Sequence, residues 1–277
     1  MALTEQRIAE LNELCRRFRI DTLTAIHAAQ SGHPGGSLSV CEILTYLYQE
    51  HMNVDAGHFD DPDRDRLVLS KGHAAPMLYR NLAEKGFFPV EDMMTLRRMG
   101  GLPGHPSTHI PGVEIPGGPL GQGFPAAQGM ALALKLNASP AKVYAILGDG
   151  ELDEGIVWET AMSAVKFKLD NLVAIVDYNK VQLDGTTDQV MPLGDLAAKW
   201  EAFGWMVFEC DGNDIESLDF CVNAADAVEG FPTVILANTV KGKGVSFMEG
   251  KNAWHGKAID DESFALAMKE LGGNENA

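Results

Sequence analysis

The chain has 277 residues, of which 45% are hydrophobic and 22% are charged, a composition typical of a globular protein with a substantial core. Its 39 acidic residues outnumber 22 basic ones and give a net charge of −17, which opposes binding to nucleic acid or to an anionic membrane surface. No apolar run is long enough to span a bilayer and the first segment lacks the apolar core of a signal peptide, so we expect a cytoplasmic protein.

Helix and strand patterns alternate along the chain. The segment 7–26 has apolar residues at helical spacing. Short apolar runs that end in Gly or Asp predict buried strands within 65–72, 142–150, 171–179, 205–212 and 231–242. Helical patterns lie between them, in 74–86, 123–137, 155–169, 193–204 and 214–230. We therefore predict an α/β fold, a three-layer α/β/α arrangement with a mainly parallel sheet, with disorder at most in the tail 272–277.

The four cysteines show no pairing pattern. Their positions, Cys15, Cys41, Cys210 and Cys221, match neither metal-ligand nor redox spacings. Three of them fall in helical patterns, so we expect buried and unreactive thiols.

The chemically distinctive residues follow the predicted strands. Gly-His-Ala follows the strand that ends at Leu69, Gly-Asp-Gly the one that ends at Leu147, and Asp-Tyr-Asn the one that ends at Val176. In parallel sheets, ligands bind beyond the carboxyl ends of the strands. The segment 99–123 is rich in Gly, Pro and His and has no periodicity, and loops of that length are usually functional.

The stretch ILGDGELDEG at 146–155 predicts a cation site. Glycines on both sides of Asp149 let the backbone turn and come close to a ligand. Asn179, at the end of the next strand, offers an amide oxygen, and Mg²⁺ binds carboxylates, neutral oxygens and phosphate oxygens. A divalent ion would allow a diphosphate to approach these acids. Gly-Asp-Gly is also a common turn, so the tripeptide alone leaves that interpretation open.

Four histidines stand beside a glycine in turn-forming segments. They are His33 in SGHPGG, His73 in SKGHA, His105 in LPGHP and His255 in AWHGKA. Their turn-forming contexts indicate a polar pocket in which the backbone approaches a ligand closely. Imidazole donates, accepts and carries charge near neutral pH, which suits proton transfer around a sugar.

Together with GGPLGQG at 117–123, DYNKVQLDG at 177–185 and TVKGKG at 239–244, these motifs closely resemble transketolase, in the part that binds the cofactor's diphosphate. The resemblance runs from about Leu11 to Ala258. It implies a thiamin diphosphate-binding fold and an enzyme of carbohydrate metabolism that transfers a two-carbon ketol unit from a ketose, such as a sugar phosphate, to an aldose.

The resemblance also implies a partner subunit. The family joins this module to a pyrimidine-binding module and a C-terminal domain, and neither is recognisable here. We therefore expect residues 1–277 to form one diphosphate-binding domain, the N-terminal subunit of a split transketolase. The expected assembly is an α2β2 heterotetramer, active only with a C-terminal subunit that supplies the activating glutamate and most phosphate-binding arginines.

Matching the family's motifs assigns the site residue by residue. The metal, Mg²⁺ with Ca²⁺ or Mn²⁺ as substitutes, is assigned to Asp149, Asn179 and the main-chain oxygen of Val181. Cofactor contacts are assigned to His73, Gly118, Pro119, Leu120, Gly150, Glu154, Asn179 and His255, and Glu154 resembles the acid that communicates with the second active site. Sugar binding and proton transfer are assigned to His33, His105 and His255. The sequence departs from the full-length pattern at Gly36, Ser37 and Lys71.

Other interpretations stay open at this stage. The α subunit of a 2-oxoacid dehydrogenase and a 1-deoxyxylulose-phosphate synthase also carry related motifs. A nicotinamide enzyme is suggested by Gly121-Gln122-Gly123-Phe124-Pro125-Ala126, although no apolar strand precedes it. A non-catalytic assembly subunit is a further class. The segment 155–167 is expected to face the partner, while Trp158 and Met162 fit the core of this chain equally well.

Overall fold

Five parallel strands form the centre of the molecule in the computed structural model, which describes residues 3–273. The end of the predicted disordered tail, 274–277, lies outside the described residues. The strand order is β1-β2-β3-β5-β4, and every neighbouring pair is parallel. The strands are β1 (Arg66–Leu69), β2 (Val143–Gly148), β3 (Leu172–Tyr178), β4 (Met206–Asp211) and β5 (Thr233–Asn238). All five lie within the predicted segments.

Helices cover both faces of this sheet. The long ones are α1 (Glu5–Ala29), α4 (Ala75–Glu84), α5 (Gly123–Leu136), α6 (Gly155–Lys166), α9 (Ile215–Asp226) and α10 (Asp261–Leu271). The short ones are α2 (Pro34–Ser39), α3 (Cys41–Tyr46), α7 (Thr187–Val190) and α8 (Leu196–Ala202). The sequence did not lead us to predict α2, α3, α7 or α10. None of the described helices combines the length and the apolar character needed to cross a membrane.

Two separate cores lie on the two faces of the sheet. Alternate strand residues enter opposite cores: Ile146, Ile175 and Ile235 pack with α1, α3, α4, α9 and α10. Their neighbours Ala145, Ala174 and Val234 pack with α5, α6 and α8. Because side chains alternate along a strand, buried strands with two apolar faces produce three layers. The predicted three-layer α/β/α fold is confirmed.

Strand β4 differs from the expectation of a buried strand. It lies at the edge of the sheet and pairs with β5 alone. Most of its side chains are partly or fully exposed, including Met206, whereas β2 is buried throughout. A strand at the edge of a sheet has a neighbouring strand on one side only. Its side chains are therefore covered less completely than those of a central strand, even when the sequence is apolar. The prediction of a strand was correct and that of its burial was wrong.

The carboxyl ends of β1, β2 and β3 lie side by side and prepare the site. Register pairs Leu69 with Ile146, and Gly148 with Asp177. The segment 99–122 contains neither helix nor strand, as predicted for a functional loop. All four cysteines are buried and free, also as predicted.

Candidate functional site

A cavity of about 160 Å³ opens where the strands end. Its lining includes Lys71, His73, Asp149, Asn179 and Lys241, which follow the ends of four strands, and His255 from a later segment. Asp149 directly follows β2 and Asn179 directly follows β3. The sheet therefore brings together groups that are far apart in the sequence, as the strand-end motifs predicted.

The oxygens assigned to a cation lie in this cavity. Asp149 Oδ1 accepts a hydrogen bond from the N–H of Gly150 at 2.8 Å, and its Oδ2 accepts one from the N–H of Lys180. Asn179 Oδ1 accepts from the N–H of Val181 at 3.1 Å. Burial, followed by the charge of Asp177, raises the pKa of Asp149 to about 6. A divalent ion beside this carboxylate would offset the cost of burying its charge. One carboxylate, one amide oxygen and one main-chain carbonyl are oxygen donors that suit Mg²⁺.

This donor set is poor in charged ligands. Among residues 3–273, no group of three His, Cys, Asp or Glu side chains is arranged to hold a metal ion. A site built mainly from neutral oxygens and completed by phosphate oxygens does not need such a group.

Two buried lysines face the same cavity. Lys241 Nζ donates to the carbonyl of Val181 at 2.7 Å and lies 3.0 Å from Nδ1 of His255. Burial, followed by the charge of Lys71, lowers the pKa of Lys241 to about 8. Lys241 brings positive charge to a cavity in an acidic chain, which suits a diphosphate, whereas the charge of Lys71 is paired with that of Asp177. The sequence reasoning did not assign a role to either, although both stand beside a glycine at a strand end.

Asp177 anchors the floor of the site. It is fully buried and accepts hydrogen bonds from Ser39 Oγ at 2.5 Å, from Lys71 Nζ and from Thr239 Oγ1. Burial would raise its pKa, but Lys71 and the three hydrogen bonds outweigh that effect and hold the pKa below its usual value. Lys71 also donates to the carbonyl of Gly36 at 3.0 Å, so this network ties helix α2 to the end of β3.

The four histidines in glycine contexts form one cluster. The ring centroid of His33 lies 5.4 Å from His73, 5.7 Å from His105 and 5.6 Å from His255. Burial is the main cause that lowers their pKa values, to about 4 for His33 and about 3 for His255. The rings are therefore neutral at physiological pH. Nδ1 of His33 is buried and has no hydrogen-bond partner among the described residues, which leaves it available to a ligand.

The remaining predicted contacts lie beside the cavity. Gly150 and Leu120 line it, while Gly118 and Pro119 precede Leu120 on the same loop. Glu154 is exposed at the start of α6, and its side chain is the neighbour that a Cβ at Gly121 would meet at 3.1 Å. Their roles stay predictions. In helix α6, Trp158 packs against Trp200 within this chain, whereas Met162 is 56% exposed. A contact of this helix with a partner stays a prediction.

Comparison with known proteins identifies the family. The family described as "Transketolase, thiamine diphosphate binding domain" matches residues 11–277. The chain belongs to the transketolase family. Within that family it corresponds to the part that binds thiamin diphosphate, and it resembles two transketolase subunits over nearly their whole length. One, a 6-deoxy-6-sulfo-D-fructose transketolase subunit from Clostridium sp., is 46% identical and covers 97% of this chain and 98% of its own.

The second is an apulose-4-phosphate transketolase subunit from Actinobacillus succinogenes, which is 44% identical over 92% of each chain. The transketolase of Pichia stipitis, solved with sedoheptulose-7-phosphate, superposes with a TM-score of 0.92 at 31% identity. This chain is covered to 96% but spans 41% of that structure. Mouse transketolase, 40% identical, is likewise covered to 43%. The chain therefore spans about two fifths of a full-length transketolase.

These findings decide between the interpretations of the sequence. The transketolase resemblance is confirmed over both the deoxyxylulose-phosphate synthase and the dehydrogenase α subunit. The G-x-G-x-x-A pattern at 121–126 is not a dinucleotide-binding motif, because such a motif directly follows a strand and the segment 99–122 contains none.

Proposed function

We propose that this chain is the diphosphate-binding subunit of a two-subunit transketolase that requires a divalent cation. Residues 1–277 form a single domain, and the pyrimidine-binding and C-terminal domains reside on a C-terminal partner subunit in an α2β2 assembly. The observation that carries the proposal is the cavity at the strand ends, where Asp149, Asn179 and Lys241 adjoin a cluster of neutral histidines.

The residues of the chain divide into two groups by chemistry. Asp149, Asn179 and the carbonyl of Val181 would hold Mg²⁺, with Ca²⁺ or Mn²⁺ as substitutes, and Lys241 would balance the diphosphate, since Lys71 is already paired with Asp177. Thiamin diphosphate, when bound, supplies the electron sink for cleavage of the carbon–carbon bond beside a ketose carbonyl. His33, His105 and His255 would bind the sugar's hydroxyls and move protons, because neutral imidazole both donates and accepts.

The names of two relatives support a proposal for the substrate class. Their names specify 6-deoxy-6-sulfo-D-fructose and apulose-4-phosphate, both sugars with an anionic group at one end. We propose that this enzyme takes a ketose with such a group and passes a two-carbon ketol unit to an aldose. Most of the arginines that bind the anionic group are expected on the partner, so exchanging partners should change the preferred sugar.

Reconstitution tests the proposal. The chain should be co-expressed with a candidate C-terminal transketolase subunit, such as the product of an adjacent gene, and screened against ketose donors with Mg²⁺ and thiamin diphosphate. Transfer of a two-carbon unit to an aldose, dependent on both subunits and on the metal, is the expected result. Pyruvate consumption with release of CO₂ would instead indicate synthase-type chemistry, and cofactor binding without turnover would indicate an assembly subunit.

A further inference from the structure

The carboxylate of Glu151 is a shared hydrogen-bond acceptor for three segments of the chain. Its side chain is 1% exposed. Oε1 accepts from the N–H of Gly121 at 2.7 Å and from the hydroxyl of Ser70, and Oε2 accepts from the N–H of Gly148 at 3.0 Å. Hydrogen bonds to an ionised acceptor are about twice as strong as neutral ones, so this carboxylate is a strong junction.

Each of the three segments carries residues of the cofactor cavity. Ser70 immediately precedes Lys71, and Gly148 immediately precedes Asp149. Gly121 immediately follows Leu120, which lines the cavity from the loop 117–123. The position of that loop relative to the lysine and to the metal ligands therefore depends on the groups that join the segments.

The loop also packs very closely against the Ser70 segment. A Cβ at Gly72 would lie 2.9 Å from the nitrogen of Gly118, and one at Gly123 would lie 2.7 Å from Cα of Ser70. Glycines that pack so closely supply little apolar area to fix the loop. The hydrogen bond from the N–H of Gly121 to Glu151 therefore matters for the position of the loop.

We infer that Glu151 is a positioning residue, whose buried carboxylate holds the loop 117–123, the Ser70 segment and the turn after β2 in the arrangement that binds thiamin diphosphate. This inference rests on the proposed function in that the cofactor occupies the cavity. Glu151 lines the cavity, but both of its carboxylate oxygens accept hydrogen bonds from donors of the chain, so we assign it no direct bond to the cofactor.

The inference predicts an effect on cofactor affinity. When the binding-competent arrangement is populated only in part, the apparent Kd rises by the inverse of that fraction. Glu151→Gln keeps the size of the side chain but turns one oxygen into an NH₂ group. Whichever way the amide is oriented, the N–H of Gly121 or that of Gly148 then faces another donor. We expect the Kd for thiamin diphosphate to rise at least tenfold, which corresponds to about 1.4 kcal/mol.

The test uses the enzyme reconstituted with its C-terminal subunit. The Kd of thiamin diphosphate is measured by calorimetry in excess Mg²⁺, and kcat is measured at saturating cofactor. Asp65→Asn is the matched control, because Asp65 also accepts two backbone N–H bonds, from Asn53 and Lys142, both at 2.8 Å. Asp65 and Lys142 lie at the amino ends of β1 and β2, away from the cavity at the carboxyl ends. This variant should therefore lower thermal stability and leave the cofactor Kd within twofold.

The outcomes separate the alternatives. A raised Kd with kcat at saturating cofactor within about threefold of the unmodified enzyme supports positioning. A Kd within twofold in folded Glu151→Gln overturns the inference, and so does loss of kcat at saturating cofactor, which would place Glu151 in the chemistry. If that variant does not fold, Ser70→Ala removes a single donor: a several-fold rise in Kd supports the inference and an unchanged Kd overturns it. Failure of the unmodified complex to bind the cofactor would refute the proposed function instead.

Discussion

The buried pair of Lys71 and Asp177 gives a sharp prediction for stability. Asp177 is fully buried, and Lys71 is 1% exposed, so neither charge has access to water. Asp177→Asn preserves the shape of the side chain and creates no cavity, but it leaves the ammonium of Lys71 buried with the carbonyl of Gly36 as its remaining strong acceptor. Breaking a buried ion pair by neutralising one partner costs about 3 to 5 kcal/mol, and we expect a loss in that range.

Urea denaturation followed by circular dichroism at pH 7 measures this loss. Lys135→Met is the matched control, because the ion pair of Lys135 with Asp170, at 2.5 Å, is 37% and 28% exposed. Removing that surface pair should cost at most about 1 kcal/mol. The double variant Lys71→Met with Asp177→Asn leaves no unpaired buried charge and should recover part of the loss. A loss below about 1 kcal/mol for Asp177→Asn, or no recovery in the double variant, would refute the reasoning.

Three further predictions concern the cavity and its loop. Asp149→Asn removes the negative charge of the proposed metal site. It should weaken Mg²⁺-dependent binding of thiamin diphosphate in the reconstituted enzyme by more than about 100-fold in calorimetry, beyond the 10- to 100-fold typical of outer-shell losses; unchanged affinity would contradict the metal assignment. The pKa of His33 is lowered to about 4 in the folded chain, so between pH 7 and 5 the unfolded chain binds a proton that the folded chain does not. The free energy of unfolding should therefore fall over this range by about 2 kcal/mol more in the unmodified protein than in His33→Gln. An equal fall in both proteins, measured by urea denaturation, would count against this. Gly121→Ala places a Cβ 2.7 Å from Ile156 at a φ of +79°, whereas Gly86→Ala, at a φ of +86°, meets nothing within 4 Å. Both variants strain the backbone, but only the first adds a clash, so urea denaturation should show a larger loss of unfolding free energy for Gly121→Ala. Equal losses would exclude the clash.

The sheet was predictable because its strands are short and apolar on both faces. Such runs, separated by amphipathic helices, have few alternatives to a three-layer fold. Helix α2 was not predictable in the same way, because PGGSLS contains two adjacent glycines, which are poor helix formers. All six of its residues are buried, so tertiary packing rather than local propensity stabilises it. The edge position of β4 depends on strand order, which the apolar pattern does not encode.

The residues of the site also include some that were predictable from the sequence and some that were not. Asp149, Asn179 and His73 were found because each follows the end of a strand, and parallel strands bring such segments to the same end of the sheet. His33, His105 and His255 were found because each adjoins a glycine in a turn-forming segment. Lys71, Lys241 and Glu151 were not assigned, because their roles depend on distant partners, as in the bonds from Gly121 to Glu151, 30 residues apart, and from Lys71 to Asp177, 106 residues apart. No local pattern distinguishes a buried charge from a solvated one.

The acids of ILGDGELDEG show why that distinction matters. Glu151 is buried but receives three hydrogen bonds, whereas Asp153 lies on the surface with Gln182 as its partner at 3.0 Å. Asp149 and Glu151 both line the cavity, but Asp149 accepts only two backbone N–H bonds and has a like charge nearby, and burial raises its pKa to about 6. A diphosphate entering the cavity would meet that carboxylate with its own negative charge. The two anions can share the cavity at neutral pH when a divalent cation lies between them, which is why we expect metal and cofactor to bind together and each to depend on the other.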